Sequence, residues 1–374
     1  MSDSIPMVDL KLQYTTLEEQ FKSVVCDVMA SAAYINGADV GKLECEFAGY
    51  NDVPFTVACA NGTDALHIAI RALGLGPGDE IITTSFTFIA TSGAISMNGV
   101  TPVFVDIDPT SYNIDPSAIE AAITPRTRAI MPVHLYGNPA DMDAILAIAD
   151  KHKLAVIEDC AQATGATWRG RKVGTMGTVG CFSFFPSKNL GCFGDGGIIT
   201  TRDEQLARRM RAIASHGSQV RYHNDILGFN SRLDTIQAAI LRVKLPHLDR
   251  WNEGRRAAAR RYTAALSGSG IVTPAESEHG HHVYHQYTLR HPQRDAIKDA
   301  LQAAGIASMI YYPIPVHLQK LYATLPHRHG SLPQTEAAAT QVLSLPMYPE
   351  LTEAQTTRIA ETVLKTISGV ATTA

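Results

Sequence analysis

Asp159 ends the stretch Val156-Ile157-Glu158-Asp159, and Lys188 ends Cys181-Phe182-Ser183-Phe184-Phe185-Pro186-Ser187-Lys188, twenty-nine residues further on. Both stretches begin with short apolar runs that are typical of buried parallel strands. In open α/β sheets, ligands bind beyond the carboxyl ends of such strands. Either residue alone would be better explained as a surface lysine or a loop aspartate. Together they predict a ligand site at one edge of a sheet.

Apolar, strand-like runs alternate with helical patterns from about residue 55 to residue 215. Leu66, Ile70 and Leu73, for example, would share one face of a helix. This alternation predicts an α/β fold with a large, mostly parallel sheet and helices on both faces. The predicted strands are residues 56–59, 80–84, 102–106, 128–133, 154–158, 178–184 and 197–201, and the predicted helices are 62–73, 88–98 and 117–123.

The pattern changes after a long helical stretch, residues 232–266, which is interrupted near Pro246. We expect a large α/β domain over residues 1–250 and a smaller C-terminal α+β domain over residues 251–374. In the smaller domain a polar connection (276–285) precedes predicted strands at 283–289 and 307–312 and predicted helices at 292–304, 335–343 and 353–367.

The composition is that of a globular protein, with 45% hydrophobic residues among 374 and a net charge of −4. This charge indicates neither nucleic acid nor an anionic membrane as a partner. The six cysteines include no CxxC pair, which counts against a disulfide framework or a structural zinc site. No signal peptide or membrane-spanning run is visible, so we expect a cytoplasmic protein.

Two local clusters suggest other ligands but have simpler explanations. Histidines 279, 281, 282 and 285 lie in a polar stretch, which is more typical of solvated side chains than of a metal site. The basic run at 255–261 is typical of the solvated face of a helix. We therefore expect no bound metal and no nucleic-acid partner.

The chemistry of the two strand ends favours pyridoxal 5'-phosphate (PLP). A lysine such as Lys188 can form a Schiff base with the PLP aldehyde, and a carboxylate such as Asp159 can pair with the protonated ring nitrogen. A carboxylate is costly to bury without such a partner. Gln162, three residues after Asp159, can donate a hydrogen bond to the phenolate oxygen of the ring.

Asn61-Gly62-Thr63 follow a predicted strand and open a predicted helix, which suggests a phosphate site. Gly62 permits close approach of the backbone, and Thr63 offers a hydroxyl and an N–H at the positive end of the helix. An ordinary turn with a capping threonine explains the same residues. Lys188 and Asp159 favour the phosphate, to which Ser183 can also donate.

Two further motifs have two explanations each. Phe88 can stack on a cofactor ring, although an aromatic at a helix start is more often part of the core. Asn230 can serve a site or cap the helical stretch that follows it. The patterns G-x-G-x-x-G and G-x-x-x-x-G-K-[ST] occur nowhere, which counts against a nicotinamide dehydrogenase and a P-loop NTPase.

Taken together, these motifs resemble those of the DegT/DnrJ/EryC1/StrS sugar aminotransferases over nearly the whole chain. The resemblance implies the aspartate aminotransferase-like fold of type I PLP enzymes, whose large domain contains a seven-stranded sheet. It also implies a homodimer with shared active sites. The matching segments are residues 6–10, 61–66, 77–80, 87–91, 102–106, 158–162, 183–191, 194–197, 230–234, 312–315 and 344–347.

The resemblance also implies a role for each motif residue. Lys188 would be the catalytic residue that carries the Schiff base. The implied cofactor contacts are Asp159 to the ring nitrogen, Gln162 to the ring oxygen, Phe88 to the ring face, Gly62, Thr63 and Ser183 to the phosphate, and Asn230 to the phosphate from the other subunit.

Within the family, the chain is most similar to C3 aminotransferases of UDP-linked 2-acetamido-3-oxo sugars, with L-glutamate as amino donor. In those that act on the 3-oxo-glucuronate, an arginine and a histidine–tyrosine pair hold the sugar carboxylate. Arg232 and Tyr312 match, but Tyr311 replaces the histidine. A phenol attracts a carboxylate less than an imidazole that can protonate. We therefore expect the neutral UDP-2-acetamido-2-deoxy-3-oxo-glucose, whose amination gives the 2,3-diamino sugar of some lipid A.

Three alternatives stay open. The chain could aminate the 3-oxo-glucuronate for O-antigen. It could be a PLP-dependent dehydratase, although such relatives lack the lysine that is present here as Lys188. It could also be a non-catalytic sugar-binding module on the same scaffold.

Overall fold

The computed structural model describes residues 4–220 and 223–370. Within those residues, seven strands form one central sheet in the order β1-β9-β8-β5-β4-β2-β3. In chain order, all the strands are β1 (Phe55–Cys59), β2 (Glu80–Thr84), β3 (Thr101–Val105), β4 (Thr127–Met131), β5 (Ala155–Asp159), β6 (Thr167–Trp168), β7 (Arg171–Lys172), β8 (Val179–Ser183), β9 (Gly197–Thr201), β10 (Ser218–Val220), β11 (His223–Asn224), β12 (Gly280–His281), β13 (Tyr287–Arg290) and β14 (Val342–Leu345).

The central sheet is parallel except at β9, which runs antiparallel to both β8 and β1. The connection between β8 and β9, residues 184–196, contains no helix. A parallel return usually runs through a crossover helix, and this connection has none, in keeping with the reversal of the chain between β8 and β9. The reversing loop carries Lys188. The predicted α/β fold with a mostly parallel, seven-stranded sheet is confirmed.

Helices surround this sheet. None of those within the described residues combines the length and the apolar composition needed to cross a bilayer. In chain order they are α1 (Leu10–Thr16), α2 (Glu18–Ser31), α3 (Ala38–Asn51), α4 (Gly62–Ala72), α5 (Ile89–Met97), α6 (Pro116–Ile119), α7 (Met142–His152), α8 (Glu204–Ala214), α9 (Thr235–Lys244), α10 (Leu248–Leu266), α11 (Arg294–Ala303), α12 (Pro333–Gln341) and α13 (Glu353–Val370), with short 3-10 helices at Glu120–Ala122, Leu135–Gly137, Leu245–His247, Val316–Leu318 and Lys320–Tyr322.

Both faces of the sheet are covered, so neighbouring strand residues enter different apolar clusters. Ile81 packs with residues of α4, α5 and α8, whereas Ile82 packs with residues of α3, α7 and α9. Val156 and Ile157 divide in the same way. Strands buried on both faces are nearly continuous in their hydrophobicity, which explains why they could be found in the sequence.

A third apolar cluster lies in the C-terminal region, where α10, α11 and α13 pack around the antiparallel pair β13 and β14. Ile5 belongs to this cluster, and its backbone pairs with that of Ile306. The start of the described chain therefore packs on the C-terminal region. The division into domains 1–250 and 251–374 stays a prediction.

The predicted strand at residues 307–312 is wrong. This segment makes an isolated bridge, Met309 to Ser344, and prolines follow at 313 and 315. The partner of β13 is β14, whose first two residues the sequence pattern assigns to a helix. That helix, α12, ends at Gln341 because the buried run Val342–Leu345 pairs with β13. The bounds of helices α1 to α3, α7 and α8 were not predicted.

Candidate active site

The ends of β5 and β8 and the first turns of α4 and α5 enclose a cavity of about 420 Å³. Residues 285–286 and 311–312, from the C-terminal region, complete its wall. Asn230 and Arg232 do not line the cavity. The predicted site residues that do are Gly62, Thr63, Phe88, Asp159, Gln162, Ser183, Lys188, Tyr311 and Tyr312.

Asp159 is buried at the end of β5 with two hydrogen-bond donors. Thr91 Oγ1 donates to Oδ2 at 2.8 Å, and the Ala161 N–H donates to Oδ1 at 3.1 Å. Burial raises the pKa of Asp159 above its ordinary value, while the Thr91 bond and the nearby Lys188 oppose the increase. The carboxyl therefore occupies a place where a further positive partner would stabilise its ionised form.

Lys188 lies in the reversing loop, which backbone hydrogen bonds hold closed. The Lys188 N–H donates to Phe185 O at 2.9 Å, and the Cys192 N–H donates to Phe184 O at 2.8 Å. Burial lowers the pKa of Lys188 to about 8, and the charge of Asp159 partly offsets this effect. A larger fraction of the amine is then uncharged near neutral pH, as a nucleophile requires.

The start of α4 forms a tight cradle against β8. Asn61 caps the helix by accepting from the Asp64 N–H at 2.8 Å. A Cβ atom at position 62 would lie 2.6 Å from Ser183 Cβ, so only glycine fits there. Ser183 and the N–H groups at the helix start therefore face one small space, which suits a phosphate dianion. The alternative of an ordinary turn does not require this close approach.

The amide of Gln162 is held in one orientation. Its Oε1 accepts from the Tyr136 N–H at 2.7 Å, and its Nε2 donates to Tyr312 Oη at 3.0 Å. One N–H of Nε2 is left after these contacts, because a primary amide has two donors. The side chain can therefore donate to an oxygen in the cavity, as the sequence-based hypothesis requires.

Phe88 lies at the cap of α5 and is 54% exposed while lining the cavity. The alternative that it belongs to the core is wrong. Its ring centroid is 6.1 Å from that of Tyr312, with the planes tilted by 38°. An exposed phenyl ring in the wall of a cavity is available to pack on a flat ligand.

Asn230 and Arg232 lie outside this cavity. Asn230 is exposed, and its backbone bridges to Ser215 after α8. Arg232 lines a separate cavity of about 660 Å³ between α3 and α8, and its Nε has no hydrogen-bond partner within the described residues. Neither residue therefore lines the cavity of Lys188 in its own chain.

The histidine-rich stretch is only partly solvated. His279 and His281 are partly exposed, but His282 and His285 are buried, which corrects the expectation of four solvated side chains. His285 lines the same cavity as Lys188, although the sequence-based prediction gave it no role there. The signal that could have identified it is its position within the predicted strand 283–289, between Tyr284 and Gln286.

A second buried cluster lies directly behind Asp159. His134, Glu158 and Cys160 are close enough to one another to suggest a metal site. However, His134 Nδ1 accepts from the Ala140 N–H at 3.0 Å, so its Nε2 carries the proton that faces Glu158 at 3.1 Å. Glu158 is further saturated by three backbone N–H groups, from Gly174, Met176 and Gly177. These hydrogen bonds account for the cluster as a structural one.

The residues of the cavity fit PLP. The Asp159 carboxyl can gain the positive partner that its raised pKa calls for, and the Gly62 cradle suits a phosphate. Lys188 supplies an amine with a lowered pKa in the same space. A lysine and a carboxylate placed in this way at the carboxyl edge of a mostly parallel sheet define a PLP-dependent transferase of fold type I.

More specifically, the chain belongs to the DegT/DnrJ/EryC1/StrS aminotransferase family, whose sequence profile matches residues 15–364. A UDP-N-acetyl-3-dehydro-alpha-D-glucosamine 3-aminotransferase from Acidithiobacillus ferrooxidans is 52% identical over 366 residues, 98% of this chain and 99% of the relative. A UDP-2-acetamido-2-deoxy-3-oxo-D-glucuronate aminotransferase from Pseudomonas aeruginosa is 47% identical over 347 residues, 93% and 96% of the two chains. The crystal structure of DesV from S. venezuelae in complex with a ketimine intermediate superposes with a TM-score of 0.95 at 45% identity, covering 97% and 98% of the chains. The protein is a PLP-dependent sugar aminotransferase.

Proposed function

We propose that this enzyme moves the amino group of L-glutamate to the C3 ketone of UDP-2-acetamido-2-deoxy-3-oxo-glucose in the cytoplasm. The product would be a 2,3-diamino sugar of the kind used in lipid A. The observation that carries the proposal is the charge of the cavity wall. Among the described residues that line it, Lys188 is the only lysine or arginine. Within one chain this wall therefore offers a sugar carboxylate no dedicated cation, so that a uronate would depend on the partner subunit's Arg232, whereas a neutral sugar needs none.

Tyr311 supports this preference for a neutral sugar. Its phenol lines the cavity and is half-buried, and burial raises its pKa, with a hydrogen bond from Gln286 acting in the opposite direction. The group therefore stays uncharged at neutral pH. It can hydrogen-bond a sugar hydroxyl but cannot supply the positive charge that an imidazolium would offer to a uronate.

The relatives support the same class of substrate without separating its members. The Acidithiobacillus relative is named for a neutral 3-oxo sugar and the Pseudomonas relative for a uronate, and both are similar to this chain over nearly their full lengths. We base the choice between them on the charge of the cavity wall, to which Tyr311 contributes no cation.

Bound PLP would supply an aldehyde for a lysine and a ring that accepts electrons. Asp159 would hold the proton on the ring nitrogen, and Gln162 would donate to the ring oxygen. Lys188 Nζ would move a proton from the α-carbon of the amino donor to the former aldehyde carbon of the cofactor, acting first as base and then as acid. Its lowered pKa of about 8 suits this exchange near neutral pH.

A second copy of the chain would complete the site. The exposed Asn230 is available to contact the cofactor phosphate of a partner subunit, and Arg232 lies beside it in the sequence. Exposed apolar side chains on and just after the first two helices, including Leu10, Leu12 and Met29, favour a covered surface. A homodimer with shared active sites accounts for both features.

Intersubunit complementation tests the shared site. The Lys188→Ala protein is mixed with the Asn230→Ala protein, and the two are unfolded and refolded together. Alternatively, the two variants are co-expressed with different tags. If the sites are shared, a mixed dimer has one site with both changes and one with neither, so activity should return to about a quarter to a half of the parent level. Mixed dimers as inactive as the Lys188→Ala homodimer would refute the sharing.

A substrate panel tests the reaction itself. Purified protein with L-glutamate is given UDP- and dTDP-linked 3-oxo sugars, in neutral and uronate forms, and products are identified by mass. We expect amination of the neutral UDP sugar with the highest kcat/KM. Tyr311→His should shift the preference toward the uronate, and Tyr311→Phe is the matched control that should not. A preference of the parent for the uronate would overturn the choice, and sugar dehydration or binding without amination would favour the alternatives.

A further inference from the structure

His285 is a buried polar side chain in the wall of the active-site cavity that the proposed mechanism does not use. It is 4% exposed and lines the same space as Lys188, Gln162 and Tyr312. Its Nδ1 has no hydrogen-bond partner within the described residues. A buried nitrogen without a partner costs free energy, so a group that enters the cavity and bonds to it would be stabilised.

The backbone of residues 283–286 is held firmly on two sides. The Val283 N–H donates to Gly137 O at 3.0 Å, and the Gln286 N–H donates to Tyr136 O at 3.2 Å. On the other side, Asn189 Nδ2, next to Lys188, donates to Val283 O at 3.0 Å.

Gly137 permits the close approach of this segment. Its φ of +91° favours glycine, and a Cβ there would lie 2.9 Å from the His285 N. The same turn orients Gln162 through the Tyr136 N–H. One turn therefore places both Gln162 and His285 at the cavity.

The neighbours of the ring indicate which nitrogen carries the proton. Gln286 Nε2 lies 3.4 Å from His285 Nε2, and an amide nitrogen can only donate. His285 Nε2 must then accept, which leaves the proton on Nδ1. Burial lowers the pKa of His285 well below its ordinary value, and the nearby positive charges of Lys188 and Arg255 act in the same direction. The ring is therefore neutral, with an unpaired N–H donor at Nδ1.

We propose that His285 is a substrate-binding residue whose Nδ1–H donates to an oxygen of the substrate beside Lys188. This rests on the proposed function, since it names a contact within that site. Two substrates offer the same acceptor chemistry: a carboxylate oxygen of the amino donor, or a hydroxyl or carbonyl oxygen of the sugar. Because the ring is neutral, it would orient either oxygen without adding a second positive charge next to the lysine amine.

The test uses three substitutions in the PLP-loaded enzyme. His285→Asn places an amide N–H close to the position of Nδ1, His285→Gln places it close to Nε2, and His285→Leu removes the donor. The amino-donor arm measures the affinity of glutarate, an unreactive dicarboxylate, by calorimetry, and the rate at which L-glutamate removes the visible absorbance of the cofactor. The sugar arm measures the affinity of UDP-N-acetylglucosamine and the rate at which the 3-oxo sugar nucleotide restores that absorbance.

We expect His285→Asn to stay within about threefold of the parent in both arms. His285→Gln and His285→Leu should lose about tenfold to a hundredfold in affinity and rate in one arm, as expected when a buried acceptor loses its donor. Whichever set of measurements falls, the amino-donor set or the sugar set, identifies the substrate whose oxygen accepts from His285. If all three variants behave alike, whether unchanged, weakened in both arms or unable to hold PLP, the proposal is overturned, because the side chain would then serve only packing. A parent enzyme that does not respond to L-glutamate would instead refute the proposed function.

Discussion

Glu158 and Asp159 are adjacent carboxyls at the end of β5, and both are buried, yet they differ in their hydrogen-bond partners and in the side of the sheet that they face. Glu158 points away from the cavity, to His134 and three backbone N–H groups. Asp159 lines the cavity, and the described residues supply it with only two donors. Successive side chains of a strand point to opposite faces of the sheet. Glu158 therefore lies in the packed layer on one face, and Asp159 lies in the cavity on the other.

The pKa values of the two carboxyls follow this difference. Burial acts to raise the pKa of Glu158, but the hydrogen bonds of His134 and of the backbone outweigh it, so the pKa is lowered. Burial also raises the pKa of Asp159, and its two donors do not compensate. The protein alone thus supplies enough hydrogen-bond donors to stabilise ionised Glu158, whereas ionised Asp159 needs a further partner from a ligand. Two carboxyls of similar burial can therefore be classified as structural or functional by whether the protein alone supplies the donors that their ionised forms need.

The largest expected effect is on catalysis, from Asp159→Asn. The amide keeps the volume but removes the charge that would hold the proton on the ring nitrogen, so kcat should fall by about a hundredfold to a thousandfold. The free energy of unfolding of the apoprotein should change little or increase, because a buried carboxyl without a full partner is removed. Steady-state kinetics and urea denaturation check the two parts. A large loss of stability with kcat retained would contradict the comparison.

Glu158→Gln should show the opposite behaviour. The amide cannot accept from all four donors that surround Glu158, so the free energy of unfolding should fall by about 3 kcal/mol. The folded fraction should keep a kcat close to that of the parent, since Glu158 does not line the cavity. Denaturation curves, with activity corrected for PLP content, measure both. Equal damage to kcat by this change and by Asp159→Asn would show that the two carboxyls act as one unit.

The contributions of Glu158 and Asp159 to the free energy of unfolding of the apoprotein should change in opposite directions as the pH changes. Glu158 has a lowered pKa in the fold, so it stabilises above the ordinary carboxyl value of about 4 and loses that contribution as pH falls through the folded value. Asp159 has a raised pKa, so its contribution decreases as pH rises from about 4 through the folded value. Each slope is at most about 1.4 kcal/mol per pH unit. Denaturation of the parent and both variants across this window measures the differences, which must carry opposite signs.

The contrast between these carboxyls also shows where sequence was sufficient. Asp159 and Lys188 could be identified because each follows an apolar run, and parallel strands place their ends together. Which of Glu158 and Asp159 faces the ligand depends on strand phase; Asp159 was the better candidate because it ends the apolar stretch, and the family resemblance implies the same role for it. The predicted strand 283–289 could have indicated that His285 is buried, but its place in the cavity wall depends on the turn at Tyr136 and Gly137, about 150 residues away in the sequence.

Two other regions show what a single chain's sequence leaves undetermined. The strand β14 follows α12 directly, and a short apolar run after a helix has no period of its own to separate it from that helix. Asn230 and Arg232 are recognisable as motif residues, but neither lines the cavity of its own chain, and only in the proposed homodimer would they serve the cavity of a second copy. Contacts between chains have no signature in the hydrophobic pattern of one chain.

The smallest expected effect comes from Thr91→Val, which removes one of the two donors to Asp159 while keeping the shape of the side chain. Without the Thr91 hydroxyl the pKa of Asp159 should rise further, and the ionised form should depend still more on the cofactor. The affinity for PLP should fall by about threefold to tenfold, the net value of one ordinary hydrogen bond. Ser92→Ala is the matched control, because this buried hydroxyl on the same helix bonds to Ile89 O and not to Asp159. Spectrophotometric titration of the apoenzyme with PLP compares the two. If Ser92→Ala weakened binding as much as Thr91→Val, the effect would come from the packing of α5, and the ligand-dependent character of Asp159 would have to be explained by its burial alone.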